Sequence, residues 1–236
     1  MIFNTIAQVL AVGSSLMVTP VALPGVCNVN VAPVINVRPI TKAIEYDKTK
    51  SSAELTAMSS NTISPYGLNV DQATGGLRHD QPITKIDVKY HYLENPQTGT
   101  FCMAYNEINV DIILQPKIYI ATEYALGRCG VEVMNHEKKH VHVDRLVINK
   151  YSREMGLSIQ KAVNALNVVG PFPVSRAKEM QQTMFDHIHS ALKSTELLMV
   201  NEMNQRQQAV DSLEEYERVG SHCEFAKERV FGKRKE

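Results

Sequence analysis

The pattern of hydrophobic and polar residues changes its period near the middle of the chain. Apolar and polar side chains alternate from residue 83 to residue 92, which predicts a β-strand with one buried face. Three later runs, residues 100–105, 108–114 and 117–122, are also predicted to be strands. Turn-forming residues at 95–99 and at Gln115-Pro116 separate these strands.

After residue 127 the apolar residues recur at helical spacing instead. A first long helix is predicted from about residue 127 to residue 155. Its apolar stripe consists of Val133, His136 with Glu137, His140, Val143, Val147 and Tyr151. A second long helix is predicted at about 175–206, and a shorter acidic stretch follows at 211–219. This order predicts an α+β fold: a small mixed or antiparallel sheet packs on the first helix, and a second long helix lies towards the C-terminus.

The N-terminal residues predict export. Residues 1–25 contain no charged side chain, and their apolar run has the length and small residues of a signal peptide. The run is too interrupted for a membrane span, which needs about 20 consecutive apolar residues. We therefore expect an exported protein, periplasmic or secreted, with no stable membrane span once residues 1–25 are removed.

The remaining chain is predicted to have three parts. Residues 26–82 are rich in Pro, Asn, Ser, Thr and Gly, which favours an extended segment with one or two edge strands. Residues 83–225 form the predicted main domain, and residues 226–236 a basic, solvated tail.

Composition narrows the possible partners. The 236 residues are 44% hydrophobic, which is enough for one sizeable core. The 25 basic residues are balanced by 25 acidic residues, which argues against a nucleic-acid partner.

The most informative motif is His-Glu-x-x-His at residues 136–140. Positions four apart on a helix lie on the same face, so His136 and His140 can bind one metal ion. Glu137 can then act as a general base that takes a proton from the attacking water. Chance matches to so short a motif are common, but this one lies on the apolar face, where two histidines and a glutamate are costly to bury without a metal or partners.

A catalytic zinc usually has three protein ligands, so a third is expected. Asp144 lies about 12 Å along the helix from His136, which excludes it on a straight helix. The remaining downstream candidates are His187, His189, Glu202, Glu214, Glu215 and His222. We favour Glu215, in the polar cluster at residues 211–216, with His187 as the alternative. A solvated helix face explains Glu215 nearly as well. Tyr216 is predicted to donate a hydrogen bond to a reaction oxyanion, although a helical tyrosine is more often part of a core.

The four cysteines are Cys27, Cys102, Cys129 and Cys223. Their even number in a chain with an export signal predicts two disulfides, although buried free thiols are the alternative. Three pairings are possible. We favour Cys102 with Cys129, which would join a strand to the start of the motif helix.

Three short segments are informative together: Lys-Ile-Tyr-Ile-Ala at residues 117–121, Gly-Arg-Cys at 127–129 and His-Glu-Lys-Lys-His-Val at 136–141. They resemble families of secreted bacterial zinc-dependent peptidases within the zincin group, which implies that residues 83–225 are a zincin-like catalytic domain. The resemblance implies Zn²⁺ held by His136 and His140, Glu137 as general base, and a peptide or protein substrate. Two alternatives are an exported binding or assembly protein with a structural or vestigial metal motif, and a zinc hydrolase acting on cell-wall peptides. The lysines within the motif favour the binding protein, whereas Glu137 favours an enzyme.

Overall fold

The structure of the protein is a computed structural model that describes residues 27, 32–58, 60, 62–67 and 73–223. The predicted signal peptide and basic tail lie outside these residues. The strands are β1 (Val34–Thr41), β2 (Glu45–Asp47), β3 (Gly76–His79), β4 (Ile83–Asn95), β5 (Thr100–Leu114), β6 (Lys117–Ile120) and β7 (Val168–Pro173). The helices are α1 (Ser52–Thr56), α2 (Gly127–Ala165), α3 (Ala177–Val210) and α4 (Leu213–Gly220). The predicted α+β fold with two long helices is confirmed.

The larger sheet is built around β5. β4 pairs antiparallel with β5 over its length, from Ile83 opposite Ile113 to Asn95 opposite Thr100. On the other edge, β1 runs parallel to the second half of β5, and β7 runs antiparallel to the first half. The sequence predicted two strands where β5 is continuous, and a loop at residues 170–173 where β7 pairs with β5. Pairing with neighbouring strands therefore keeps β5 continuous and makes residues 170–173 part of a strand, which the local sequence pattern does not indicate.

The main hydrophobic core lies between the larger sheet and the two long helices. Side chains of β5 such as Ile108, Val110 and Ile112 are completely buried against α2 and α3. Each fully buried side chain of this size contributes roughly 1.5–3 kcal/mol. The helix α2 extends ten residues past its predicted end because Ile159, Ala162 and Val163 belong to the same core. Gly156 does not end the helix, since these contacts outweigh its low helix propensity.

A smaller sheet covers the first half of α2. Its strand order is β2-β6-β3, with β2 parallel and β3 antiparallel to β6. Ile118 and Ile120 of β6 pack on Val133 and Val141 of α2. The residues predicted to form an extended N-terminal segment thus supply β1, β2 and β3, which are all edge strands. The predicted motif lies on α2 under the smaller sheet.

The disulfide pairing that we predicted is wrong. The bridges are Cys27–Cys102 and Cys129–Cys223. Successive side chains of a strand point to opposite faces. Phe101 and Met103 point into the core, so Cys102 points away from the helices and cannot reach Cys129. Cys129 instead joins the first turn of α2 to the chain just after α4.

In the part of the chain that is described, none of the helices combines the length and apolarity needed to cross a membrane.

Candidate metal centre

The helix α2 presents the three motif residues on a buried face. His136, Glu137 and His140 have exposed fractions of 8%, 4% and 6%. The ring centroids of the two histidines are 4.8 Å apart, as expected for positions four apart on a helix. The motif therefore brings together the side chains that the sequence predicted.

The third group that meets the two histidines is the carboxylate of Asp211, which the sequence did not single out. Asp211 is the C-cap residue of α3, and α3 runs back along α2, so its end reaches the motif. Its Oδ1 atom lies 3.1 Å from His136 Nε2 and 3.2 Å from His140 Nε2. The two Nε2 atoms are themselves 3.2 Å apart. Three ligand atoms thus form a nearly equilateral triangle.

The dimensions of this triangle suit a metal ion. Zinc held tetrahedrally at about 2.0–2.2 Å places neighbouring ligand atoms roughly 3.3–3.6 Å apart. The observed edges of 3.1–3.2 Å are close to this spacing. Two imidazole nitrogens and one carboxylate oxygen are also a ligand set typical of catalytic zinc. The buried group His136, His140 and Asp211 can hold a metal ion.

The outer nitrogens of the histidines show where their hydrogens lie. His136 Nδ1 is 3.3 Å from Glu215 Oε1, and a carboxylate can only accept, so Nδ1 is the donor. His140 Nδ1 faces the side-chain oxygen of Gln207. The amide orientation of Gln207 is fixed because its nitrogen donates to the His140 carbonyl at 3.0 Å and to Asp144 Oδ1 at 2.6 Å. His140 Nδ1 is therefore also a donor.

In the neutral imidazole only one ring nitrogen carries a hydrogen. With Nδ1 as the donor in both rings, each Nε2 directs a lone pair into the triangle. The third corner is a carboxylate oxygen, so three acceptors converge without a hydrogen between them. Buried acceptors at this separation repel one another unless a cation lies among them. The hydrogen-bond pattern thus favours a bound cation.

The shifts in pKa agree with a centre that attracts positive charge. Burial alone would raise the pKa of Asp211, but its contacts with the two histidines and Thr62 hold that pKa well below its usual range. Burial lowers the pKa of His140, whereas Asp211 and Glu137 raise it, and the net shift is upward. A proton and a metal ion compete for the same ligand atoms in such a site.

Glu215 has a different position from the one that we predicted. It contacts the outer nitrogen of His136 rather than the triangle, and so orients this histidine. Arg218 and Lys139 pair with its carboxylate, at 2.9 Å and 2.7 Å. Arg218, followed by Lys139, lowers the pKa of Glu215 to about 2 despite the opposing effect of burial. Both lysines of the motif therefore have partners: Lys139 forms a salt bridge with Glu215, and Lys138 lies over the ring of Tyr46.

Two of the other candidates for a third ligand, His187 and Glu202, have partners elsewhere. His187 donates to the carbonyl oxygen of Ala162 at 3.1 Å. Glu202 pairs with Lys150 and Arg206. Tyr216 packs edge-on against His136 with 5.8 Å between ring centroids, and its hydroxyl is hydrogen-bonded to Asp211. Its role as an oxyanion donor stays a prediction.

Glu137 lies beside the histidines and under the edge strand β3. The backbone N–H of Arg78 donates to its carboxylate. A Cβ atom placed on Gly76 would lie only 2.7 Å from Glu137 Oε1, so a glycine is needed for the strand to approach this closely. Burial raises the pKa of Glu137, and the two histidines offset only part of this rise. A group with a raised pKa is better suited to take up a proton near neutral pH.

We compared the chain with protein families, with curated proteins and with solved structures, and none of them matches it. The class of the protein is therefore defined by its own fold and site. It is an α+β protein with a buried two-histidine, one-carboxylate centre between two long helices.

Proposed function

We propose that the protein is an exported zinc-dependent peptidase. The observation that carries this proposal is the convergence of two histidine Nε2 atoms and Asp211 Oδ1 at 3.1–3.2 Å, next to the buried Glu137. Three protein ligands leave a fourth position of a tetrahedral ion open, whereas structural zinc sites normally use four protein ligands. The two disulfides are compatible with an oxidising compartment.

His136, His140 and Asp211 would hold the ion. Zinc there would supply Lewis acidity, polarising a carbonyl group and acidifying water. Glu137 accepts the proton of the attacking water and delivers it to the leaving nitrogen. Glu215 orients His136, and Tyr216 donates to Asp211, so that both ligands keep their direction.

The first test is metal content by elemental analysis. We expect one zinc per chain in the wild type, and loss of zinc in Asp211→Asn and His140→Ala. The matched controls are Glu214→Gln, an exposed carboxylate on α4, and His142→Ala, an exposed histidine of α2. Zinc retained in Asp211→Asn at wild-type affinity would contradict the assignment of the third ligand.

The second test is hydrolysis of a library of fluorogenic peptides. Glu137→Gln should keep zinc and lose activity by about 10²–10⁴, because it removes the base without removing a ligand. If the wild type bound zinc but cleaved no peptide, the site would belong to a metal-binding protein rather than to a peptidase. Wild-type activity in Glu137→Gln would show that Glu137 is not the base.

A further inference from the structure

A chain of buried polar groups continues behind His140, away from the metal centre. His140 Nδ1 donates to the oxygen of Gln207, and the nitrogen of Gln207 donates to Asp144 Oδ1. The other oxygen of Asp144 accepts a hydrogen bond from Arg78 Nε at 2.7 Å. Gln207 and Asp144 have exposed fractions of 2% and 0%, so water does not compete for these bonds.

Arg78, at the far end of this series of hydrogen bonds, fixes the order of its donors and acceptors. An arginine can only donate and a carboxylate can only accept, so Asp144 draws the nitrogen of the Gln207 amide towards itself. The oxygen of Gln207 is left facing His140. With the amide reversed, its oxygen would face both Asp144 Oδ1 and the carbonyl of His140, leaving three acceptors without donors.

Stability alone is a weak reason for this arrangement. A buried ion pair is often no more stabilising than apolar side chains of the same size, because both charges lose their hydration. The side chains of Arg78 and Asp144 are 7% and 0% exposed, so both are desolvated. Arg78 also belongs to β3, and its backbone N–H donates to Glu137. One residue thus reaches the proposed base and, through Asp144 and Gln207, a proposed ligand.

We propose that Arg78 and Asp144 are positioning residues for the metal centre. They fix the amide of Gln207, which keeps the hydrogen of His140 on Nδ1 and leaves Nε2 free to bind the ion. The proposal rests on the metal centre proposed above. Neither residue touches the ion, so their effect passes entirely through Gln207 and His140.

The direct test is ¹⁵N NMR of the histidine rings in metal-free, full-length protein at a pH where His140 is neutral. We expect His140 to carry its hydrogen on Nδ1 in the wild type. In the charge-neutral double variant Arg78→Met/Asp144→Asn, the side-chain amide introduced at position 144 can donate to Gln207 and reverse it. A larger fraction of His140 should then carry its hydrogen on Nε2. The affinity for zinc, measured against a chromophoric chelator, should fall about 10- to 100-fold.

The control is Thr195→Val, which removes another hydrogen bond between α2 and α3, the partly buried 2.9 Å contact with Ser158. It should change neither the ring nitrogen that carries the hydrogen nor the affinity for zinc. The proposal is overturned if wild-type His140 carries its hydrogen on Nε2, or if the double variant keeps wild-type zinc affinity. Should the double variant fail to fold, the single variant Asp144→Asn replaces it, and the same change in the ring hydrogen and in zinc affinity is expected. A wild type that bound no zinc would defeat the proposed function, whereas the spectrum would still test the network.

Discussion

Replacing Gly76 with alanine tests whether β3 holds Glu137 in its working position. The new Cβ would lie 2.6 Å from Val133 Cγ1 and 2.7 Å from Glu137 Oε1, whereas ordinary contacts begin near 3.4 Å. Either β3 must shift by about 0.7–0.8 Å, or the side chains of Val133 and Glu137 must both move by this amount, to restore normal contact distances. Overpacking of this kind costs about 1–3 kcal/mol of stability.

The displacement should affect catalysis more than metal binding. A misplacement approaching 1 Å can reduce a rate by about 100-fold, so we expect kcat to fall roughly 10- to 100-fold. Zinc content should remain at one per chain, because the three atoms nearest to the new methyl group belong to Val133 and Glu137 and not to the proposed ligands. Peptide hydrolysis, elemental analysis and urea denaturation measure the three quantities on one preparation.

The matched control is Gly75→Ala, one residue earlier. Its Cβ would lie 3.5 Å from Val133 Cγ2, which is an ordinary contact, so stability and activity should stay near wild type. The reasoning is refuted if Gly76→Ala is as stable and as active as Gly75→Ala. Loss of zinc in Gly76→Ala would show that β3 acts on the ligands rather than on the base.

Three further predictions concern the supports of the centre. Replacing both cysteines of Cys129–Cys223 with serine should weaken zinc binding and lower stability by up to about 4–5 kcal/mol. The same change at Cys27–Cys102 should lower stability without changing the affinity for zinc. Equal zinc affinities in the two variants would contradict this prediction. Glu215 has a lowered pKa, so its carboxylate stabilises the metal-free protein above its unfolded pKa of about 4.3, and this stability is lost as pH falls towards about 2. Denaturation in EDTA should therefore show a weaker loss of stability over this range in Glu215→Gln than in wild type, and identical profiles would count against the pairing. Zinc at 100 times its dissociation constant should stabilise the wild type by about 2.7 kcal/mol, or roughly 5–10 °C, in calorimetry; His136→Ala should show no such shift.

The part of the site that could be predicted from sequence is the part that one helix determines. His136 and His140 lie one turn apart, and helix geometry places them on the same face without reference to the rest of the chain. The strands and long helices were predictable for the same reason, since their apolar residues repeat at the period of each element. The presence of two disulfides was also predicted, but the pairing of the cysteines was not, because it depends on which face of β5 carries Cys102.

The third ligand could not be chosen because it depends on packing between distant segments. Asp211 is 71 residues from His140 and reaches it only through the packing of α3 along α2. The polar cluster at residues 211–216 did indicate the right region. Two of its three carboxylates contact opposite nitrogens of His136, Asp211 at Nε2 and Glu215 at Nδ1. The sequence does not show which of these two carboxylates meets the ligand nitrogen Nε2 and which meets Nδ1, since Asp211 and Glu215 are both acidic and only four residues apart.

Because Asp211 lies at the end of α3, the number of residues in that helix determines whether Asp211 reaches the metal centre. A single residue inserted into the 34 residues of α3 would turn everything beyond it by about 100° and advance it by about 1.5 Å. The apolar residues that anchor α3 on α2 would hold the first part in place, so the error would accumulate at Asp211. Insertions in the turn between β4 and β5, at residues 96–99, would instead be absorbed locally. We therefore expect α3 to tolerate many substitutions on its exposed face but no change in its number of residues.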